Sequence, residues 1–204
     1  MLKNDEMGMI RIPERYQKVK SLPEDPENSS AYAYQNEGAG CFLLSFPIPK
    51  ESAMPYGQPE EAVKGIHEAL GDNQGLIEVE SGKTGFGSPY IYSIVKSLKQ
   101  PSGVQYCMTM HVDRGDFSAQ VQGFFEELGT TGFRDALIFA LAQNENLVKM
   151  TENGIEGWNQ DPYDSTFVRG NTMNLSEKKE YDNQFPTHPL SEARKCVSEI
   201  ISMN

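Results

Sequence analysis

The sequence predicts an α+β protein, in which an antiparallel β-sheet meander is covered by helices and an irregular C-terminal extension ends in a helix. Two observations support this fold class. Strand-like runs between residues 90 and 126 are separated only by short turns, and short turns join antiparallel rather than parallel strands. Three other segments repeat apolar residues at helical spacing. We therefore expect one sheet with helices packed against it.

The clearest strand signal is Val104–Val112, where apolar and polar side chains alternate. Tyr90–Leu98 is apolar on both faces at its centre, as expected of an interior strand. Ser118–Glu126 completes the meander. Further strand-like runs lie upstream, at Arg15–Lys20, Ala31–Gln35, Cys41–Ile48 and Leu76–Glu80. The second and third of these are separated by a glycine-containing turn, so they read as a hairpin.

Three helices are predicted from apolar periodicity. The first opens at Pro59, since proline is tolerated in the first helical turn. Its apolar stripe is Ala62, Val63, Ile66, Ala69 and Leu70. The second begins after Gly132, runs to about Lys149 and is expected to bury Phe133, Leu137, Ala140, Leu141 and Val148. The third begins at Pro189 and is expected to bury Leu190, Ala193, Val197, Ile200 and Ile201. A short helix is also predicted at Leu175–Asp182.

The chain divides by composition into three segments. Residues 1–29 contain prolines and few apolar anchors, which is typical of a mobile N-terminal segment. Residues 30–152 carry the predicted α+β core domain. Residues 153–204 form a polar C-terminal extension packed on that core. With 204 residues, about 70% of the extended-chain surface is expected to be buried, which is enough for one substantial core.

Charge and cysteine content exclude several classes of protein. Eighteen basic against twenty-nine acidic residues give a net charge of −11, which disfavours binding to nucleic acid. No stretch approaches the roughly 20 apolar residues of a membrane span, and Met1–Met9 lacks the features of a signal peptide. The three cysteines, Cys41, Cys107 and Cys196, include no close pair, so they predict reduced thiols without a metal site. These features together favour a cytoplasmic protein that has no membrane partner.

Catalytic motifs are missing from the sequence. Ser81–Thr84 ends like a phosphate-binding loop, but Ile77 stands where that pattern requires a glycine. The three histidines have no metal-ligand spacing, and Glu126 and Glu127 are adjacent on a strand, so they point to opposite faces. The Gly-x-Ser-x-Gly motif of many serine hydrolases is also absent. We therefore expect no catalytic residue, metal or cofactor.

Recognition residues are predicted in the extension, where Trp158 and Tyr163 lie close to Asp161 and Asp164. Tryptophan and tyrosine combine a large apolar area with a polar tip and are enriched at binding surfaces. The sequence favours the other interpretation, in which Trp158, Tyr163 and Phe185 pack an irregular extension onto the sheet while the aspartates cap its turns.

The order of strand pair, helix, meander and long helix resembles the PsbP/DcrB-like fold, an α/β/α sandwich. The run Val121–Glu127, followed by the helix start at Gly129–Asp135, is similar to the last strand and final helix of that family. The resemblance spans about residues 30 to 150, and the extension departs from it. Members of the family serve mostly as accessory, assembly or binding proteins, so the resemblance implies a binding role. Trp158–Asp164 and Phe185–Leu190 also look like the tails of small uncharacterised bacterial cytoplasmic proteins.

Three functional hypotheses follow. The first is a non-catalytic protein whose acidic surface binds a basic protein partner, as an immunity or accessory protein does. The second is a small-molecule-binding protein or hydrolase with a site between the sheet and the extension. In this site an arginine would bind an anion and a histidine would act as a base. The candidate residues are Asp161, Asp164, Arg134 and His188. The third is a self-associating structural protein, and the oligomeric state stays open.

Overall fold

The computed structural model describes residues 9–152 and 154–204, and its main element is a seven-stranded antiparallel sheet. The strands are β1 (Gln17–Val19), β2 (Ser30–Gln35), β3 (Ala39–Ile48), β4 (Gln74–Lys83), β5 (Pro89–Leu98), β6 (Val104–Asp113) and β7 (Ser118–Glu127). Their order across the sheet is β1-β2-β3-β7-β6-β5-β4. The α+β prediction is confirmed. The meander is β4 to β7, and the β2–β3 hairpin joins it through β7.

One face of the sheet holds the main core. Leu43, Met108 and Val121 project from adjacent strands on this face and are fully buried. Helix α3 (Pro189–Met203) covers them, as predicted. It buries Leu190, Ala193, Cys196, Val197 and Ile200. Since each fully buried large apolar side chain contributes roughly 1.5–3 kcal/mol, the last helix of the chain is a major source of stability.

Helix α1 (Pro59–Ala69) packs on the opposite face, over β4 and β5. It buries Ala62, whereas Ala69 of the predicted stripe is exposed because the helix ends there. The segment before α1 crosses the same face of the sheet. There the Met54 N–H donates to Nδ1 of His111 at 2.9 Å.

Helix α2 (Phe133–Asn144) differs from the prediction in both length and orientation. It ends before Lys149, which instead begins a small hairpin of β8 (Lys149–Thr151) and β9 (Gly154–Glu156). The predicted buried stripe is wrong except for Val148: Phe133, Leu137, Ala140 and Leu141 are exposed. The buried side is Arg134, Ile138 and Ala142. The physical reason is that Arg134 reaches into the C-terminal extension, and α2 packs mainly on that extension instead of the sheet.

The C-terminal extension lies along the β4 edge before it turns under α2. Instead of the short helix predicted at Leu175–Asp182, two 3-10 turns occur there, at Leu175–Glu177 and Lys179–Tyr181. Close contact with β4 is visible at Gly75, where a Cβ atom would lie 1.8 Å from the Asn171 carbonyl oxygen. The extension therefore occupies an edge that would otherwise present unpaired backbone groups.

The segment predicted to be mobile is only partly described, since residues 1–8 lie outside the described residues. Beyond them, Ile10 and Tyr16 are buried. The Arg11 N–H donates to Oδ1 of Asn204 at 2.8 Å, which ties this segment to the end of α3. The division of the chain into three segments stays a prediction. Across residues 9–152 and 154–204, no helix is long and apolar enough to cross a membrane.

Candidate functional site

The structure separates the predicted site residues into two places. Asp161, Tyr163 and Asp164 lie beside α1, whereas Arg134 and His188 lie together between α2, α3 and the extension. Among the described residues, no hydrogen bond joins one group to the other. The four residues predicted to form a single small-molecule site therefore do not converge. Trp158 packs edge-on against Phe139 of α2, with ring centroids 5.0 Å apart.

A cleft of about 460 Å³ lies between α1 and residues 163–169. Lys64 and His67 line it from the helix, and Asp164 and Phe167 line it from the extension. The described residues along the cleft include no serine, threonine or cysteine, so none of these nucleophiles faces the histidine. Across the described parts of the chain, no group of three or more His, Cys, Asp or Glu side chains could hold a metal ion.

His67 is held in the cleft by two contacts. Its Nε2 lies 2.9 Å from Oδ2 of Asp161, and its ring stacks on Phe167 with centroids 4.1 Å apart. Asp161 is buried and accepts the backbone N–H groups of Tyr163 and Asp164. An imidazole fixed by a carboxylate in this way is oriented as a base or ligand-binding group. Sequence reasoning placed His67 at the edge of the α1 stripe but missed its partner, which lies 94 positions away.

Two other residues of the cleft have structural roles. The Tyr163 hydroxyl accepts the Val79 N–H at 2.6 Å and donates to the Val79 carbonyl at 3.1 Å, so it caps the β4 edge. Burial raises the pKa of Tyr163 above its ordinary value. The Arg169 guanidinium donates to the carbonyls of His67, Glu68 and Leu70 at the end of α1. These contacts hold the two walls of the cleft together.

Arg134 is the centre of a buried polar cluster, with only 1% of its surface exposed. Its Nε donates to the Ser176 carbonyl at 2.7 Å, and its terminal nitrogens donate to Asp182, Ser191 and the Lys178 carbonyl. Burial lowers the pKa of Arg134, and the charge of Asp182 only partly offsets it. All these partners lie in the extension or in α3. Arg134 therefore joins α2 to the extension and does not face a ligand site.

His188 caps the start of α3. Its Nδ1 accepts the Leu190 N–H at 3.2 Å, and its Nε2 lies 3.6 Å from a Glu127 carboxylate oxygen. Burial raises the pKa of Glu127, but the nearby His188 ring and the hydrogen bond from the Gly132 N–H outweigh burial, so the pKa lies below its ordinary value. This geometry makes His188 part of the structural cluster.

Further ion pairs extend the cluster to the sheet. Arg194 contacts Glu78 through Nε at 2.6 Å, and Lys96 contacts Glu177 at 2.7 Å. The Tyr106 hydroxyl also donates to Glu177. Buried charges are tolerated when each one is paired and hydrogen-bonded, and these groups meet that condition. Sequence reasoning missed these ion pairs because the local sequence around a charged residue in an apolar strand does not indicate which distant residue pairs with it.

The exposed side of α2 carries an unusual row of apolar side chains. Phe133, Leu137 and Leu141 occur one turn apart and are 62%, 42% and 44% exposed. We call these three residues the α2 apolar face. The other side of α2, which carries Ile138 and Ala142 beside Arg134, is packed on the extension. The helix therefore has apolar residues on both sides, a pattern normally found in fully buried helices. Three more exposed large apolar residues, Leu147, Met150 and Ile155, follow the helix in the sequence.

The exposed charged residues that follow α2 in the sequence are mainly acidic. Glu145, Glu152 and Glu156 are exposed, with Lys149 as the one exposed basic residue of the described positions between 133 and 156. Exposed apolar patches surrounded by polar residues mark interaction sites. The α2 apolar face is therefore a candidate interaction surface.

No family model matches the chain, and no curated protein matches it. The resemblance to the PsbP/DcrB-like family stays a prediction.

Proposed function

We propose that the chain is a non-catalytic binding protein that engages a partner protein through the α2 apolar face. The observation that carries this proposal is the exposure of Phe133, Leu137 and Leu141 on a helix whose opposite side is already packed. A helix that is apolar on both sides reaches full burial only when a second surface covers it. The apolar row lies on regular secondary structure, so it is available without rearrangement.

The energetics of covering this surface are favourable. Since full burial of a large apolar side chain contributes roughly 1.5–3 kcal/mol, covering the exposed fractions of these three residues contributes about 2–4 kcal/mol. Arg134 holds α2 through several hydrogen bonds to the extension. Little conformational freedom of the helix backbone is then lost on binding, which favours affinity.

A basic partner is supported by charge. The protein carries 29 acidic and 18 basic residues, and complementary charge accelerates encounter and suppresses wrong partners. An immunity or accessory protein that masks a basic protein fits this description.

The proposal is tested by affinity capture from the source organism at low and high salt. The test variant is Leu137→Glu with Leu141→Glu. The matched control is Val168→Glu, which changes a residue that is 87% exposed elsewhere on the surface. We expect the wild type and the control to capture the same basic protein, less of it at high salt, and the double variant to lose it. Equal capture by all three proteins, or no specific capture by any, would contradict the proposal.

A small-molecule-binding protein or hydrolase is the second candidate, and the oriented His67 in the cleft is the observation that favours it. Its site would use Asp161 and Asp164 without Arg134 or His188. A screen of small metabolites that follows the His67 ring signals by nuclear magnetic resonance tests it. A ligand-induced shift that Asp161→Asn abolishes would support the candidate. No shift across the screen, or one unaffected by that substitution, would count against it.

A further inference from the structure

We infer that the occupant of the α2 apolar face is an amphipathic helix of a partner protein, with lysine or arginine along its flank. This inference rests on the proposed function and specifies the partner's chemistry. It follows from the shape of the exposed side of α2 and from the charges at its C-terminal end.

The shape of the exposed side favours a helix. Phe133, Leu137 and Leu141 form one ridge of large side chains at i, i+4 and i+8. Ala136 and Ala140 are also exposed, and they form a parallel row of small side chains next to the ridge. A ridge beside a groove, both along i±4 rows, is the surface that a second helix packs against at an axial distance of about 8–10 Å. The ridge spans about 12 Å, or roughly two helical turns.

The charges at the end of α2 favour a basic flank. No basic residue occurs in the last turn of α2, so its carbonyl end, the negative end of the helix dipole, has no cation in that turn. Glu145 follows the helix directly, and Glu152 and Glu156 are exposed on the hairpin beyond it. Lysine or arginine on the partner would meet both the helix end and these carboxylates.

The same charges disfavour a second copy of this chain as the occupant. Two copies joined through their α2 apolar faces would each bring Glu145, Glu152 and Glu156 to the contact. Each copy also has a net charge of −11. Like charges brought together at an interface oppose association.

The test uses two synthetic helical peptides of about 18 residues. Both have the same leucine pattern, and their polar positions carry only lysine in one and only glutamate in the other. Binding is measured by fluorescence anisotropy at low and high salt. The proteins are the wild type, Leu137→Glu with Leu141→Glu, and Glu145→Lys with Glu152→Lys and Glu156→Lys. The exposed Phe86 supplies the control, Phe86→Glu. Sedimentation equilibrium gives the oligomeric state of each protein.

We expect the lysine peptide to bind the wild type and the control equally, and the glutamate peptide to bind at least about tenfold more weakly, a difference of about 1.4 kcal/mol. The double leucine-to-glutamate variant and the triple glutamate-to-lysine variant should each bind the lysine peptide about tenfold or more weakly than the wild type does. Equal binding of both peptides, or equal binding of the lysine peptide to all variants, would overturn the inference.

Two other outcomes separate this inference from the proposed function. A dimer that is lost in the Leu137→Glu and Leu141→Glu variant would show a second copy on the α2 apolar face and overturn the inference. Absence of peptide binding, combined with partner capture that depends on Leu137 and Leu141, would overturn the helix inference and leave the proposed function standing. If the peptide does not bind and partner capture does not depend on Leu137 and Leu141, the helix inference and the proposed function are both contradicted.

Discussion

Replacing Arg134 with methionine removes the guanidinium that joins α2 to the C-terminal extension. The side chain is buried, and it donates to the carbonyls of Ser176 and Lys178 and to Asp182 and Ser191. Methionine keeps an unbranched, flexible side chain, but it is shorter than arginine and donates no hydrogen bond. The substitution therefore leaves two carbonyl groups without their charged donor and adds no steric clash.

The expected loss of stability follows from these contacts. Breaking a buried ion pair by removing one partner costs about 3–5 kcal/mol. Asp182 keeps its contacts to Arg194 at 3.1 and 3.2 Å, so the carboxylate is not left unpaired and the lower part of that range applies. We expect Arg134→Met to lower the free energy of unfolding by about 3–4 kcal/mol. The melting temperature should then fall by about 6–16 °C.

Urea unfolding at neutral pH measures this loss, followed by the fluorescence of the single tryptophan, Trp158, which packs on α2. The matched control is Arg169→Met. Arg169 also donates to three carbonyls, but it is exposed, so we expect a loss below about 1 kcal/mol. A loss below about 1 kcal/mol for Arg134→Met, or equal losses for the two variants, would refute the reasoning.

Two further predictions concern the β4 edge and a buried histidine. Gly75→Ala should destabilise the protein by more than about 2 kcal/mol, because the new Cβ meets the Asn171 carbonyl at 1.8 Å. The control is Gly65→Ala, in an open position on α1, which should stabilise the protein by about 0.5–1 kcal/mol. Urea unfolding measures the stability of both variants. Equal effects of the two substitutions would contradict a close contact between Gly75 and Asn171. Burial lowers the pKa of His111 below its ordinary value of 6.5, and protonation would break the bond from the Met54 N–H. The contribution of neutral His111 to the free energy of unfolding should therefore be complete above pH 6.5 and should decline as the pH falls through the folded-state pKa of His111. A ring titration by nuclear magnetic resonance with a midpoint at or above 6.5 would contradict this.

The strands were predictable because their burial alternates with the sequence. Val104–Val112 was predicted and Val104–Asp113 is observed. The apolar positions of this strand face α3, and Tyr106, Met108 and Met110 among them are buried. Local alternation was sufficient here because one side of the strand meets the core directly. A different signal, apolar residues on both faces at its centre, predicts that Tyr90–Leu98 lies in the sheet interior, and β5 does lie between β6 and β4.

The orientation of α2 was not predictable from periodicity. The helix is apolar nearly all round, so an apolar stripe can be drawn through Leu137 or through Ile138. Hydrophobicity alone favours burying the first stripe. The observed orientation depends on Arg134, whose partners lie 42 to 57 positions away. A contact at that distance leaves no trace in the local pattern.

The candidate sites show the same limit. The aspartates of the extension were considered as turn caps, and Asp161 does accept two backbone N–H groups nearby. Its contact with His67 depends on how the extension returns to α1. Likewise, the contact between Arg134 and His188 requires α2 and α3 to meet, which element order alone does not specify. Residue types could be selected from the sequence, but their partners could not.

The buried cluster also explains why the α2 apolar face stays exposed. Rotating α2 to bury Leu137 and Leu141 would withdraw Arg134 from Ser176, Lys178 and Asp182. The unpaired groups would cost about 3–5 kcal/mol, which exceeds the roughly 1–3 kcal/mol gained by covering the exposed fractions of these two leucines. A buried ion pair is a weak source of stability compared with apolar packing, but it fixes orientation. Arg134 thus holds α2 in the one orientation that presents its apolar residues outward, where a partner can cover them.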